Sequence, residues 1–390
     1  MINDKGRKAL KDTFCTKRGL MVNLRYVWVS FFAFMLVGIY ALIALNFSFL
    51  NPIAQAVKDF SLTDVYYQVL AEHPDTSRAI TVVDMSKLYT RSEVAALLYD
   101  IEEAHPKVVG VDIVFQDERT DYVGNDMLVD IAKTYDNVVF SYYRQNIQNN
   151  EETEVHSFFT DSVKVMEGFT DMPRGLYGGM KRKVPLCGAS GEGQSLSFSS
   201  LVANRYAEKD IVPLEEADLD INFEPTVFTI VSCDSVLFHP ELLEGRIVLV
   251  GGINRLEDMH DTPLGKMAGT VLLAYSIQTI IESREVKYLS AFWLGILSFL
   301  IVMLTCVWQD GYSRLVDNSI KNLMIQNVLK STYIAGLLTS FWCVLLLGLT
   351  FIVFCKFDIS VNLGWAFAAI SCLVGSKSLY SALYNTVLSK

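Results

Sequence analysis

Long apolar segments without charged residues constrain this chain more than any other feature of its sequence. Tyr26–Leu45, Tyr288–Trp308 and Tyr333–Cys355 are uninterrupted, and Ile359–Gly375 is weaker because it contains Asn362. About twenty helical residues, at about 1.5 Å each, cross roughly 30 Å of hydrocarbon. The sequence therefore predicts four transmembrane helices, one before a large central segment and three after it, over 26–48, 288–308, 333–355 and 359–376.

Basic residues flank these segments on one side of the membrane. They cluster before the first span, between the second and third spans and after the fourth: Lys5, Arg7, Lys8, Lys11, Lys17, Arg18 and Arg25; Arg314, Lys321 and Lys330; Lys377 and Lys390. The positive-inside rule places the tail 1–25, the loop 309–332 and the tail 377–390 in the cytoplasm, and 49–286 outside it. The first span is too long for a cleaved signal peptide, so we expect an uncleaved anchor.

The outer segment is strongly acidic. Residues 51–286 carry 38 Asp and Glu against 19 Lys and Arg, whereas the remaining residues carry 5 against 14. Nothing there neutralises phosphates, so we expect no nucleic acid partner. Only Cys187 and Cys233 share this compartment among the seven cysteines. Whether they form a disulfide depends on a separation that the sequence does not report.

Strand and helix patterns alternate through the outer segment. "RAITVVD", "KVVGVDIVF", "NVVFSYY", "LDINF", "TVFTIV" and "RIVLVGG" are typical of strands. "DMLVDIAKTY", "LSFSSLVANRYA" and "GTVLLAYSIQTIIES" favour helices, as does "TRSEVAALLYDIEEAHP", in which Thr90 and Glu93 form a capping-box pattern. The alternation predicts one α/β domain with a largely parallel sheet. Residues 145–192 are less regular and are expected to form an exposed insertion or long loop.

The polar stretch "LEDMHDTP" after the last predicted strand allows two interpretations. Asp258, His260 and Asp261 are possible metal ligands. Three neighbouring side chains rarely converge on one ion without a distant fourth ligand, so we expect no metal. A turn is favoured, in which Asp261 accepts backbone hydrogen bonds and Pro263 fixes the chain. Structural roles in turns are assigned to Asp112, Thr262 and Pro263.

A ligand pocket is the second possibility for the ends of these strands. Ligands of parallel sheets bind beyond the carboxyl ends of the strands. The candidate ligand-binding residues at or after such ends, with an arginine that opens a helix, are Asp84, Arg91, Asp117, Gly251, Gly252 and Asp261. The alternative is an internal ion pair or cap between Asp84 and Arg91, with the two glycines in a tight turn. No catalytic motif is present, so we expect no catalytic residue, no cofactor and no enzymatic activity.

Several of these motifs, taken in order, resemble the type-2 CHASE (cyclase/histidine-kinase-associated sensory extracellular) domain. They are the strand that ends in Asp84, Arg91 at the next helix, Asp112 in "VGVDIVF", "LLEGRIVLVGG", and "DTP" followed by Gly269. The resemblance covers roughly residues 51–375, including the spans. It implies an α/β extracytoplasmic sensor domain on four transmembrane helices in a bacterial inner membrane, with the domain in the periplasm.

Members of that family commonly continue into a cytoplasmic cyclase or kinase, and none fits within these 390 residues. We therefore expect a stand-alone sensory subunit, embedded in the lipid bilayer and homo-oligomeric, that signals through a separate effector protein. The loop 309–332 is predicted to form an amphipathic helix that either docks this effector or lies on the membrane surface; its apolar positions are Leu315, Ile320, Leu323, Val328 and Leu329. The alternative function is a structural or assembly subunit of an envelope complex.

Overall fold

The computed structural model describes residues 17–45, 62–70, 74–117, 120–147, 151–172, 179–190, 193–215, 217–254 and 258–388. The chain forms two compact units, Met1–Lys58 with Tyr288–Lys390, and Asp59–Lys287. Most of the predicted N-terminal tail lies outside the described residues, and so do residues 46–61, which include the last three residues of the first predicted span.

Helices are numbered along the chain as α1 (Lys17–Leu45), α2 (Leu62–Val65, continued by a π-helical turn over Tyr66–Leu70), α3 (Arg91–Glu103), α4 (Tyr122–Thr134), α5 (Phe198–Ala207), α6 (Gly269–Glu282), α7 (Ala291–Ser319), α8 (Leu323–Leu329), α9 (Thr332–Phe357), α10 (Gly364–Ser371) and α11 (Leu373–Leu388). Short 3-10 helices occupy Cys233–Phe238 and Pro240–Leu242.

Strands are β1 (Asp75–Asp84), β2 (Val108–Val111), β3 (Val138–Ile147), β4 (Glu151–Val155), β5 (Met166–Phe169), β6 (Lys183–Ser190), β7 (Gly193–Leu196), β8 (Ala217–Asp220), β9 (Thr226–Ser232), β10 (Ile247–Gly251), β11 (Met259–Thr262), β12 (Gly265–Ala268), β13 (Lys287–Tyr288) and β14 (Ile359–Ser360). The main sheet has the order β4-β3-β2-β10-β1-β9, with β5 also beside β3. All its pairings are parallel except β3 with β4.

This sheet confirms the prediction of an α/β fold with a largely parallel sheet. Helices cover both of its faces. Side chains alternate along a strand, so Val109 and Val111 join the core under α3 and α4. Gly110 faces the other way, where a Cβ atom would lie 2.8 Å from the Phe198 ring of α5. Glycine therefore permits the close approach of α5 to β2, and α6 covers β1 and β10 on that same side.

The predicted capping box is present at the start of α3. The Thr90 hydroxyl accepts a hydrogen bond from Glu93 N at 3.2 Å, and Glu93 Oε2 accepts one from Thr90 N at 2.9 Å. The irregular segment 145–192 differs from the expected loop. Its described residues contribute β4 and β5 to the main sheet and β6 to a second, antiparallel sheet of order β7-β6-β8. Cys187 on β6 and Cys233 on a 3-10 helix are both thiols.

Three helices of the other unit are long and apolar enough to cross a membrane within the described residues: Leu24–Leu42 inside α1, then α7 and α9. The fourth predicted span is divided between α10 and α11, which are bent by 55° at Cys372 and count as one span only if taken together. Helix α7, which contains most of the second predicted span, extends beyond it to Ser319, because the polar sequence that follows the span contains no proline.

Small and apolar side chains form the core of this unit. Ala33 of α1, Val302 of α7 and Ala366 and Ala369 of α10 are fully buried together. At one end of these helices Asp310 lies 2.9 Å from Lys377 Nζ and 3.6 Å from Arg25 Nη2. These ion pairs join α1, α7 and α11, so the charges just beyond the apolar segments contribute to the packing of the unit.

Candidate functional site

A cavity of about 270 Å³ opens beyond the carboxyl ends of β2, β5 and β10. The connections after β1 and β2 lead to α3 and α4 on one face, whereas the connection after β10 leads to α6 on the other. Such a divergence leaves a crevice between strands, which is where open α/β sheets bind ligands. The cavity is lined by Asp112, Thr170, Asp171, Met172, Lys181, Asp258, His260, Gly269 and Leu273.

Asp112 follows β2 directly and connects the sheet to α6. Its backbone N donates to Val250 O at 2.9 Å, and its Oδ2 accepts from Thr270 Oγ1 at 2.7 Å. Burial raises the pKa of the Asp112 carboxyl to about 6; the Thr270 hydrogen bond opposes this rise, the nearby Asp258 adds to it and His260 opposes it. A carboxyl in this range changes charge near neutral pH, a property that is enriched at functional sites.

Asp258 and His260 form the wall next to α6. Asp258 Oδ1 lies 3.3 Å from His260 Nε2. A Cβ atom at Gly269 would lie 2.5 Å from Asp258 Oδ2, and one at Gly251 would lie 2.0 Å from Thr270 Oγ1. The two glycines therefore allow the start of α6 to approach both β10 and the acidic wall. Within the described ranges, no group of three His, Cys, Asp or Glu side chains is placed to hold a metal ion.

A second part of the lining, formed by residues 170–172 after β5 and by Lys181, carries both signs of charge. Asp171 Oδ2 accepts from Arg144 N at 2.8 Å and from Arg144 Nε at 3.1 Å, so its charge is compensated within the protein. Lys181 N donates to Asp261 O at 2.8 Å, and Lys181 Nζ donates to Met172 O at 3.0 Å. The cavity thus has an acidic wall and a wall that presents an ammonium group.

Three of the predicted ligand-binding residues lie together, in register at the ends of β1 and β10. Asp84 pairs with Gly251, and Gly252 follows. The Asp84 carboxylate accepts from Ser86 N at 2.9 Å, Ile253 N at 3.3 Å and Asn254 Nδ2 at 2.9 Å. Partial burial raises the pKa of Asp84, but these hydrogen bonds outweigh it and lower the pKa overall. Asp84 therefore ties β1 to the loop after β10.

The other three predicted residues lie elsewhere. Arg91 is 6% exposed, donates from Nη1 to Asn125 Oδ1 at 2.6 Å, and places its guanidinium 4.8 Å from the centre of the Phe158 ring. Asp117 is exposed beyond β2, and Asp261 is exposed on β11. None of the six predicted ligand-binding residues contributes to the cavity lining given above.

The stretch "LEDMHDTP" divides between the cavity and a hairpin. Asp258 and His260 face the cavity, whereas Thr262 Oγ1 donates to Gly265 O at 2.7 Å and accepts from Leu264 N at 3.2 Å in the β11–β12 turn. Pro263 O accepts a hydrogen bond from Gln68 Nε2 at 2.6 Å. The turn interpretation thus applies to the second half of the stretch, and α6 begins only after the hairpin.

Asp112 was predicted to have a structural role in a turn, and Lys181 was not predicted to be a site residue. The sequence feature that could have indicated a site at Asp112 is an aspartate directly after a fully buried strand. Asp112 reaches the cavity because β10 is the neighbour of β2, and local sequence patterns do not predict which strands are neighbours.

A family model for the CHASE2 domain matches residues 36–308 of the chain. No curated protein and no solved structure matches it significantly.

Proposed function

The chain belongs to the CHASE2 family of sensory domains. We propose that it is a membrane-anchored sensory subunit that detects an envelope signal and passes this signal to a separate effector protein. We place it in a bacterial inner membrane, with the CHASE2 domain in the periplasm, both termini in the cytoplasm and the chain in a homo-oligomer. Its candidate transmembrane helices are consistent with an anchored sensor.

The hydrogen bond between Asp112 and Thr270 carries this proposal. It joins the cavity to the first turn of α6. Helix α6 ends at Glu282, and α7, a candidate membrane span, begins at Ala291. A ligand that competes for the Asp112 carboxylate changes the environment of the α6 start. A shift of α6 along its axis is then transmitted by a short connection to α7.

The far end of α7 offers a surface for the effector. Helix α7 runs on to Ser319, and the short helix α8 follows, so the predicted amphipathic helix is replaced by two helical pieces. Apolar side chains on both pieces are largely exposed: Leu315, Leu323, Met324, Ile325 and Val328. Exposed apolar side chains at this density indicate a protein partner or a membrane surface.

Purification of the tagged full-length chain in mild detergent, followed by native mass measurement and identification of co-purifying proteins, tests the proposal. We expect a stoichiometric cytoplasmic enzyme or regulator that is lost in the Met324→Ser/Val328→Ser variant. The matched control is Leu383→Ser on α11, which is also exposed. Retention of the same partner by the α8 variant contradicts docking at α8, and co-purification of envelope proteins alone contradicts the sensory function.

A second candidate function, an assembly subunit of an envelope complex, is supported by the edge of the main sheet. Within the part of the chain that the structure describes, β9 pairs with β1 alone, and it is a seven-residue strand without charge. Val227 and Ile230 on β9 and Leu237 and Phe238 after it are largely exposed. Exposed apolar edge strands pair readily with other chains. Loss of an envelope partner in the Ile230→Lys variant, with effector binding intact, would favour this function.

A further inference from the structure

We propose that the cavity above Asp112 binds a small zwitterion of the amino-acid class, with its ammonium group between Asp112 and Asp258 and its carboxylate at Lys181. The inference rests on the proposed sensory function and names the ligand class for the same cavity. It draws on the charges, the hydrogen-bonding capacity and the size of the cavity.

The acidic wall has capacity to bind an ammonium group. A carboxylate offers about four acceptor sites. Thr270 uses one site on Asp112 Oδ2, and among the described residues no hydrogen bond reaches Asp112 Oδ1. Asp258 is engaged by His260 at 3.3 Å, a contact that is strong only when the imidazole is protonated. Two carboxylates that face one enclosed cavity repel each other, and a bound cation relieves this repulsion.

The Lys181 side of the lining suits a carboxylate. Lys181 lines the cavity, and its ammonium group brings a positive charge to it, with Nζ donating to Met172 O at 3.0 Å. Asp171 does not oppose this, because Arg144 neutralises it. Asp112 follows β2 and Asp171 follows β5, and these strands are two strand spacings apart in the sheet, about 10 Å between strand axes. Side chains from both walls reach into this gap and leave room for a short molecule.

The charges of the described lining residues and the size of the cavity favour a zwitterion over a simple ion. An anion would face Asp112 and Asp258, and a simple cation would face Lys181, so a zwitterion is the species complementary to both walls. The volume of about 270 Å³ lies just below the range of drug-sized sites, roughly 300–1,000 Å³. Leu273 and Gly269 provide a small apolar part of the lining for a short side chain.

Binding of the ammonium group requires an ionised Asp112. Its pKa is about 6. Among the described residues, the charged groups that line the cavity with it are Asp258, His260, Lys181 and the neutralised Asp171. We therefore expect affinity to fall about tenfold between pH 7 and pH 5, as Asp112 becomes protonated.

Calorimetric titration of the full-length chain in mild detergent, dialysed beforehand, tests the ligand class. The ligands are the standard amino acids, taken singly, and for each amino acid that binds, the amine without its carboxylate and the acid without its ammonium group. We expect at least one amino acid to bind, with both matched analogues at least tenfold weaker. Absence of binding by every amino acid, or an analogue that binds equally well, overturns the proposal.

Two variants assign the binding to this cavity. Asp258→Asn and Lys181→Met are each expected to weaken binding at least tenfold, whereas Asp126→Asn on the exposed side of α4 leaves it unchanged. Unaltered binding in both cavity variants overturns the site. If either variant does not fold, the matched analogues on the unmodified chain still decide the ligand class.

The same preparations separate this inference from the proposed function. Amino-acid binding that leaves the co-purified effector unaffected contradicts signal transfer and keeps the ligand class. Co-purification of an effector without any amino-acid binding overturns the ligand class and keeps the sensory function.

Discussion

The pH dependence conferred by Asp112 is the sharpest physical prediction. Its pKa is about 6 in the folded protein and has a reference value of 3.8. The folded state therefore holds this proton more tightly than the unfolded state. The stability associated with it is complete below pH 4 and is lost as the pH rises through 6. A shift of about two pKa units corresponds to a loss of about 3 kcal/mol in the free energy of unfolding.

Asp112→Asn removes this loss, because an amide does not ionise and its oxygen still accepts the Thr270 hydrogen bond. The difference in unfolding free energy between variant and unmodified chain should be near zero at pH 4 and about 3 kcal/mol in favour of the variant at pH 7.5. In a domain of this size, each kcal/mol of stability raises the melting temperature by about 2–4 °C. At pH 7.5 the melting temperature of the outer unit should therefore be higher in Asp112→Asn by on the order of 10 °C.

Scanning calorimetry of the full-length chain in detergent at pH 4, 5, 6 and 7.5 measures this difference. Asp126→Asn, which removes an exposed carboxylate of α4, is the control and should show no comparable trend. A difference that is constant across this range, or that favours the unmodified chain as the pH rises, would refute a buried Asp112 with a raised pKa.

Three further substitutions test the architecture around the cavity by the same melting measurement. Gly251→Ala should lower the free energy of unfolding by about 1–3 kcal/mol, because its methyl group would lie 2.0 Å from Thr270 Oγ1. Adding Thr270→Ala should restore part of this stability. A Gly251→Ala variant as stable as the unmodified chain would contradict the close approach of α6 to β10. Asp84→Ala should lower the free energy of unfolding by about 1–3 kcal/mol above pH 4, because the hydrogen bonds to its carboxylate are lost. This loss of stability should become smaller as the pH falls, because the pKa of Asp84 is lowered in the folded protein and its charged form is the stabilising one. Thr90→Ala should lower the free energy of unfolding by about 1 kcal/mol, and Thr90→Ser should lower it much less, because serine retains the hydroxyl that caps α3. Equal losses of stability in the two variants would argue against the capping box.

Local patterns predicted much of the secondary structure. The capping box at Thr90, the continuous apolar run of β10 and the alternation of strand and helix depend on neighbours within a few residues, and the structure confirms them. Other predictions of element type or extent differ. Residues 145–192 contribute strands because β3 offers free edges for β4 and β5, and α7 outlasts its apolar segment because helical hydrogen bonds do not require apolar side chains.

The candidate cavity is lined by none of the six residues predicted to bind a ligand. Asp84, Gly251 and Gly252 come together as expected from the ends of parallel strands, whereas Arg91 lies within the core beside Asn125. The sequence did not show that Asp258 and His260 line a cavity while Thr262 forms a turn, because all three residues lie in the same eight-residue stretch.

The sequence by itself determined the α/β class, the long apolar segments, the family and the positions of most helices and strands, because hydrophobic periodicity and capping are short-range properties. Only the tertiary structure decided that β10 lies between β1 and β2. That placement brings Asp112 into hydrogen-bonding contact with Thr270, 158 positions later in the chain, and Asp112, Lys181 and Asp258 line one cavity. The pKa of Asp112 follows from the burial and the neighbours that the folded sheet creates, and these arise between segments that are distant in sequence.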